Sequence, residues 1–235
     1  MDLHDKVSVV TGASRGLGRH FSEALTDEGA TVYGLARSRA DLEEIQDNFG
    51  ADAFRPVACD VRDESSVQQA FQTVTEEAGR LDVLVNNAGL GRHDDVTDAR
   101  VEDWNAMLET NVRGPFLCAR AALPPMRAQN EKSGFGGHII NVASIAGLVE
   151  NPGMAGYNAS KFGVRGFSLA LMKEVRDDGI KVSCVYPGSV ETSFGSGPPN
   201  PLQPEDVAAT VTHLLESPDN YLVSEVVMRP LRPRG

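Results

Sequence analysis

Three side chains in the second half of the chain could together move a proton to or from a substrate oxygen. Tyr157 and Lys161 lie four residues apart in one short segment, and Ser144 lies thirteen residues before the tyrosine. Positions i and i+4 share one face of a helix, so the lysine ammonium would favour the ionised form of the tyrosine. A tyrosine tuned in this way can exchange a proton with a carbonyl or alcohol oxygen. Because such a pair also arises by chance, its meaning depends on the rest of the chain.

The elements that must position these side chains alternate along the chain. Short β-branched apolar runs predict seven strands, at 7–10, 31–35, 53–58, 83–85, 139–142, 182–186 and 222–228. Amphipathic stretches between them predict helices at 17–28, 39–48, 64–78, 101–129, 157–177 and 205–216. Several of the strands are apolar throughout, as expected when helices cover both faces of a sheet. The order predicts an α/β chain, a single Rossmann-fold domain over residues 1–235 with a doubly wound parallel sheet of about seven strands.

Composition excludes several other classes of protein. A net charge of −11 without a basic cluster argues against nucleic acid or an anionic membrane as a partner. No apolar run is long enough to span a membrane, and the first residues lack the layout of a signal peptide, so we expect a cytoplasmic protein. Cys59, Cys118 and Cys184 are expected to be reduced core thiols. The five histidines show no ligand spacing, so no metal site is expected.

A glycine-rich turn follows the first predicted strand. The segment Thr11-Gly12-Ala13-Ser14-Arg15-Gly16-Leu17-Gly18 leads into a stretch of helical periodicity. Gly12 would allow the tight turn, Gly16 would let a pyrophosphate approach the backbone, and Gly18 would allow close packing of helix on strand. The spacing is G-x-x-x-G-x-G rather than the commoner G-x-G-x-x-G. The segment predicts a phosphate-binding site, with a tight turn that binds no ligand as the alternative.

Further segments follow the turn in a recognisable order. Asn86-Asn87-Ala88-Gly89 follows the fourth strand, Asn111 falls in the long helix predicted at 101–129, and Ser144 ends the fifth strand. Pro187-Gly188, with Thr192 shortly after, follows the sixth strand. With the glycine turn and the Tyr157–Lys161 pair, the chain resembles the short-chain dehydrogenase/reductase (SDR) family, of the NADP(H)-preferring type. The resemblance spans about residues 5 to 228.

The resemblance implies a catalytic tetrad and a dinucleotide site. Tyr157 would be the general acid or base, Lys161 would assist it and hold the nicotinamide ribose, and Ser144 would donate a hydrogen bond to the substrate oxygen. Asn111 would hold a water that links Lys161 to solvent. Each of the four could instead be an ordinary helix, turn or core residue. The cofactor-binding residues expected are Gly12, Ser14, Arg15, Gly16, Leu17, Gly18, Arg37, Asp60, Val61, Asn87, Ala88, Gly89, Tyr157, Lys161, Pro187, Gly188, Val190 and Thr192.

Charge at the end of the second strand favours one nicotinamide cofactor. An Asp or Glu in this place suits a free ribose 2′-hydroxyl. Here Arg37 takes that place, and Arg15 lies in the glycine turn. Guanidinium groups pair with phosphate, so the two arginines predict NADP(H) rather than NAD(H). Alternatively, both are solvated surface arginines. Asp60, after the third strand, is expected to contact the adenine or to cap the next turn.

The substrate is the least determined part of the prediction. The loop at about 193–204 is shorter than in many members of the family and rich in Gly and Pro, which predicts an open pocket for a bulky substrate or weak discrimination. Residues after the fourth and fifth strands are expected to line the pocket: Leu90, Arg92, His93, Ile145, Glu150 and Asn151.

The function predicted is an NADP(H)-dependent oxidoreductase that interconverts a small-molecule carbonyl and a secondary alcohol. The alternatives are a non-catalytic NADP(H)-binding regulator or scaffold and, less favoured, an enzyme that epimerises or dehydrates a nucleotide sugar. A homodimer or homotetramer is expected, formed through the helices at 101–129 and 157–177. The chain lacks the family's frequent Asp-Gly-Gly tail, so the usual tetramer contact through the last strand is in doubt.

Overall fold

The computed structural model of the protein describes residues 1–192 and 201–231. Seven strands form one sheet in the order β3-β2-β1-β4-β5-β6-β7, and every neighbouring pair is parallel. They are β1 (Val7–Thr11), β2 (Thr31–Ala36), β3 (Phe54–Ala58), β4 (Val83–Asn86), β5 (Gly137–Val142), β6 (Ile180–Pro187) and β7 (Glu225–Met228). All seven predicted strands are confirmed, and β1, β4, β5 and β6 are buried along their whole length, as their apolar runs predict.

Helices cover both faces of this sheet. They are α1 (Gly16–Asp27), α2 (Arg39–Phe49), α3 (Glu64–Ala78), α4 (Val101–Leu108), α5 (Gly114–Ser133), α6 (Ala155–Val175) and α7 (Pro204–Glu216). Apolar residues of α3, α5 and α6 pack in one core layer, and those of α1, α2 and α7 pack in the other. The predicted doubly wound Rossmann fold is therefore confirmed.

The prediction of one continuous helix over residues 101–129 was wrong. A π-helical segment at Glu109–Arg113 separates α4 from α5, and α5 continues to Ser133. A π segment fits an extra residue into a turn and so re-aims the side chains beside it. Asn111, in the middle of this segment, is buried. The last strand is shorter than predicted, because it begins at Glu225 rather than at residue 222.

The strand order reverses beside β1, whose neighbours are β2 on one side and β4 on the other. In doubly wound sheets, ligands bind in the crevice at the carboxyl ends of the strands, where the order reverses. The glycine turn follows β1, the Asn87-Ala88-Gly89 segment follows β4, and Ser144 follows β5. The topology therefore gathers the predicted site residues at one edge of the sheet.

Other expectations from the sequence concern the core and the membrane. Cys59, Cys118 and Cys184 are buried and unbridged, as predicted. Burial raises the pKa of the Cys59 thiol to about 11, which keeps that thiol protonated and unreactive. None of the helices in the described part of the chain combines the length and the apolar character needed to cross a bilayer.

Candidate active site

Tyr157 lies in the first turn of α6 and points into the protein. Its side chain packs with Met107 and Ala146, and the residue is 8% exposed. Burial raises the pKa of the Tyr157 hydroxyl, and a hydrogen bond with Ser144 lowers it by a smaller amount. The net direction is opposite to the expectation that Lys161 would favour the ionised form. Burial prevails because a phenolate loses its hydration when water is excluded.

Lys161 lies one turn further along α6, also buried. Its Nζ lies 5.7 Å from the centre of the Tyr157 ring and donates a hydrogen bond to the Val142 carbonyl oxygen at 3.0 Å. In the described part of the chain, no carboxylate pairs with this ammonium. Burial therefore lowers the pKa of Lys161 from 10.5 to about 8. The helix spacing brings the lysine to the tyrosine as predicted.

Ser144 is positioned by the turn that follows β5. It begins a 3₁₀ turn over Ile145–Gly147, and its hydroxyl oxygen accepts a hydrogen bond from the Ala146 N–H at 3.2 Å. The same hydroxyl meets Tyr157. The pair of hydroxyls could hold one substrate oxygen between them, which is the geometry that a carbonyl needs when negative charge builds on it.

Asn111 holds two other parts of the site in place. Its amide donates to the Leu90 carbonyl oxygen at 2.8 Å, and its carbonyl oxygen accepts from the Leu90 N–H at 2.9 Å. The amide also donates to the Ser160 hydroxyl at 2.9 Å, and that hydroxyl donates to the Tyr157 carbonyl oxygen at 2.7 Å. Asn111 thus ties the loop after β4 to the helix of Tyr157. A water-holding role for it stays a prediction.

The turn after β1 has the shape of a phosphate cradle. Gly12 and Gly16 have positive φ of 66° and 53°, a region that favours glycine. A Cβ on Gly18 would overlap the Gly12 carbonyl oxygen, so α1 packs directly against the end of β1. The N-cap residue of α1 is Arg15, and its side chain makes no capping hydrogen bond. The first N–H groups of α1 are therefore available to an anion.

Thr11 and Asn87 hold this cradle to the end of β4. The Thr11 hydroxyl oxygen accepts hydrogen bonds from the N–H groups of Asn87 and Ala88, both at 3.0 Å. The Asn87 amide donates to the Thr11 carbonyl oxygen at 3.0 Å. Sequence reasoning placed Asn87 and Ala88 at the site but missed Thr11. Its position directly before the first glycine of the turn was the available signal.

The segment after β6 closes over the cradle from the other side. Thr192 lies against Gly16, since a Cβ built on that glycine would be 3.8 Å from the threonine side chain. Val190 pairs with Leu202 in an isolated β-bridge, so the two ends of the substrate loop meet. Gly188 donates from its N–H to the Met228 carbonyl oxygen at 2.8 Å. Most of the predicted loop, residues 193–200, lies outside the described residues.

Asp60 caps the turn that follows β3, which is one of the two roles expected of it. Its carboxylate accepts from the Arg62 N–H at 3.0 Å and from the Arg62 guanidinium, the shortest of these bonds at 2.6 Å, which holds the pKa of Asp60 below its usual range. A contact of Asp60 with an adenine stays a prediction. Arg37 lies close enough to lower the pKa of Asp60 further. Within residues 1–192 and 201–231, no salt bridge involves Arg15 or Arg37.

The expected pocket walls are only partly brought together. Leu90 packs against the cluster that contains Tyr157, and the His93 ring lies 6.5 Å from the Tyr157 ring, centre to centre. Arg92 instead pairs with Asp103, Nε to Oδ1 at 3.4 Å. Ile145 lies in the 3₁₀ turn after Ser144, and Glu150 is exposed. Asn151 donates from its N–H to the side chain of Asn158, a buried residue of α6 that sequence reasoning missed.

Comparison with known proteins agrees with this geometry. The family model described as short chain dehydrogenase matches residues 6–198. The chain belongs to the short chain dehydrogenase family. Members of this family bind a nicotinamide cofactor and act on small molecules.

Individual members of the family resemble the chain over nearly its whole length. An uncharacterized oxidoreductase of Staphylococcus aureus strain USA300 is 33% identical over 234 residues, which are 97% of this chain and 99% of that protein. A metagenomic short-chain oxidoreductase solved in complex with NADP has a TM-score of 0.86 and 33% identity, covering 99% of this chain and all of that one. A 3-ketoacyl-(acyl-carrier-protein) reductase from Brucella melitensis complexed with NADH has a TM-score of 0.91 and 28% identity, covering 98% and 99%.

Proposed function

We propose that the protein is an NADP(H)-dependent oxidoreductase that interconverts a carbonyl and a secondary alcohol, with Tyr157 as general acid and base. The observation that carries the proposal is the meeting of Tyr157, Ser144 and Lys161 at the crevice beside the glycine turn. One hydroxyl can transfer a proton and a second can donate to the same oxygen, while a buried cation stabilises negative charge near them.

Burial of Tyr157 suits the reductive direction. Its raised pKa keeps the phenol protonated at neutral pH, so it can give a proton to the oxygen of a carbonyl as that oxygen gains charge. Ser144 donates to the same oxygen and orients it. The Lys161 ammonium stabilises the phenolate that remains. In the oxidative direction Tyr157 must first lose its proton, so that rate should rise with pH.

The residues of the crevice fit an NADP(H) molecule. The cradle of Gly12, Gly16 and Gly18 leaves backbone N–H groups available to a pyrophosphate, and Arg15 and Arg37 are free of salt bridges within residues 1–192 and 201–231. These arginines would hold a 2′-phosphate, for which an acid at the same place would be unfavourable. When bound, the nicotinamide supplies the hydride in reduction and accepts it in oxidation.

The proposal is tested by following NADPH absorbance with a panel of ketones, quinones and acyl thioesters. We expect turnover by the wild type and a loss of about 10²–10⁴-fold in Tyr157→Phe. Tyr221→Phe is the matched control, because Tyr221 is 57% exposed and follows α7. Tight NADPH binding without turnover of any carbonyl would instead support the regulator or scaffold. Product formation without net absorbance change would support epimerisation or dehydration.

We also propose that the protein forms a homodimer or homotetramer through α5 and α6. Phe116 on α5 and Phe162 on α6 are 45% and 41% exposed, so each of the two helices presents a large apolar side chain that a partner subunit could cover. Phe116 also packs edge-on against Phe167 of α6, with ring centres 6.4 Å apart. Sedimentation of the wild type should show an oligomer, and Phe116→Glu with Phe162→Glu should give monomers. A monomeric wild type would contradict this part of the proposal.

A further inference from the structure

Two basic side chains contact the Tyr157 ring from different environments. Lys161 approaches from the buried interior, whereas His93 lies on the exposed loop that follows β4. The His93 ring meets the Tyr157 ring edge-on, with centres 6.5 Å apart and planes inclined by 61°. An exposed imidazole therefore lies next to the ring of the proposed proton donor.

The loop that carries His93 is held on both sides of the histidine. Before it, Leu90 is fixed through both backbone groups by Asn111. After it, the Asp95 carbonyl oxygen accepts hydrogen bonds from the N–H groups of Asp98 and Ala99, both at 2.9 Å, in a closed turn. A side chain between two fixed points contributes to binding with little additional ordering. His93 is thus placed beside the reacting group by the fold.

Apolar side chains pack around Tyr157 within residues 1–192 and 201–231. Met107 and Ala146 form a buried cluster with it, and Leu90 and Met154 pack against that cluster. An imidazole carries one nitrogen that donates and one that accepts a hydrogen bond when neutral. Because His93 and Tyr157 are neighbours, a substrate with its carbonyl oxygen at Tyr157 presents its nearest substituent to His93.

We infer that His93 determines substrate specificity: its imidazole hydrogen-bonds an oxygen substituent on the carbon next to the reacting carbonyl. The protein then prefers α-oxygenated carbonyl compounds, such as hydroxyketones, to alkyl ketones of the same size. This inference rests on the proposed carbonyl reduction and names the substrate class. Since His93 is exposed, the hydrogen bond competes with water, so the preference due to it is about tenfold.

The test compares hydroxyacetone with 2-butanone, which differ only by a hydroxyl in place of a methyl group. His93→Phe keeps an aromatic ring beside Tyr157 but removes both nitrogens, and His93→Gln keeps a donor and an acceptor. We expect His93→Phe to lower the ratio of kcat/KM for hydroxyacetone to that for 2-butanone about tenfold. His93→Gln should restore most of the ratio. His213→Phe, at an exposed histidine of α7, is the matched control and should change nothing.

The outcomes separate this inference from the function on which it rests. An unchanged ratio in His93→Phe, with both ketones still reduced, overturns the role of His93 and leaves carbonyl reduction in place. An equal loss for both ketones also overturns it, because His93 would then act on Tyr157 rather than on the substituent. A wild type that reduces no carbonyl overturns both proposals.

Discussion

Replacing Lys161 with methionine should stabilise the protein while abolishing its activity. The ammonium is buried beside Tyr157 without a carboxylate partner in the described part of the chain. Lowering its pKa from 10.5 to about 8 corresponds to about 3 kcal/mol of unfavourable burial at neutral pH. Loss of the hydrogen bond to the Val142 carbonyl oxygen lowers the free energy of unfolding by about 1–2 kcal/mol. The net gain in the free energy of unfolding is about 1–2 kcal/mol.

The dependence of this gain on pH identifies its cause. Below pH 8, Lys161 is charged in both the folded and the unfolded protein, so the folded wild type bears the full cost of burial. Between about pH 8 and 10.5, the folded protein releases this proton before the unfolded protein does, and the wild type gains stability as pH rises. The advantage of Lys161→Met should therefore be largest near pH 7 and shrink through this window.

Thermal unfolding of cofactor-free protein at pH 7, 9 and 10 measures the effect. We expect Lys161→Met to raise the melting temperature by roughly 3–6 °C at pH 7 and by less at pH 10. Lys173→Met is the control, because Lys173 is exposed on the same helix and should show no such gain. A variant less stable than the wild type, or an advantage that does not change with pH, would refute the reasoning.

Three other predictions concern the cofactor site and the core. Arg37→Ala should weaken NADPH binding about tenfold or more and leave NADH binding unchanged, as measured by titration; equal affinities in the wild type would contradict the NADP(H) assignment. Gly18→Ala should destabilise the protein and weaken cofactor binding, because the new Cβ would overlap the Gly12 carbonyl oxygen. Gly166→Ala is the control, because no atom lies within 4 Å of its new Cβ, and in urea unfolding it should be neutral or stabilising. His138 is buried beside Lys181 and the N-terminal ammonium, which with burial lower its pKa to about 3. The unfolded chain protonates this histidine below its ordinary pKa of 6.5, whereas the folded protein does so only near pH 3. The free energy of unfolding should therefore fall as the pH drops from 6.5, by about 1.4 kcal/mol per pH unit, and His138→Asn should flatten that slope.

The fold and the proximity of Tyr157, Lys161 and Ser144 could be predicted because local patterns determine them. Apolar runs such as Val7–Val10 specify buried strands, and the glycines at 12, 16 and 18 specify a turn that other residues cannot form. The direction of the Tyr157 pKa could not be predicted in the same way. Spacing along a helix brings Lys161 close, but the cost of desolvation depends on residues far away in sequence, such as Met107 and Ala146.

The sequence also could not predict which charged side chains pair with each other. Asp60 has the position expected of an adenine contact, and only the structure shows that Arg62, two residues later, takes its carboxylate. Arg37 lies close by and is free of salt bridges among residues 1–192 and 201–231, so the charge at this end of the crevice favours an anionic group over a neutral one.

The π-helical segment holds the loop after β4 and the helix α6 together. A π turn contains one residue more than an α turn, which changes the direction of the side chains that follow it, and Asn111 lies buried within the segment. With the extra residue in the turn, Asn111 reaches Leu90 and Ser160 together. The loop of His93 and the helix of Tyr157 are thereby fixed to one amide. The proposed proton transfer by Tyr157 and the proposed selectivity of His93 therefore both depend on the position that Asn111 gives to these two segments.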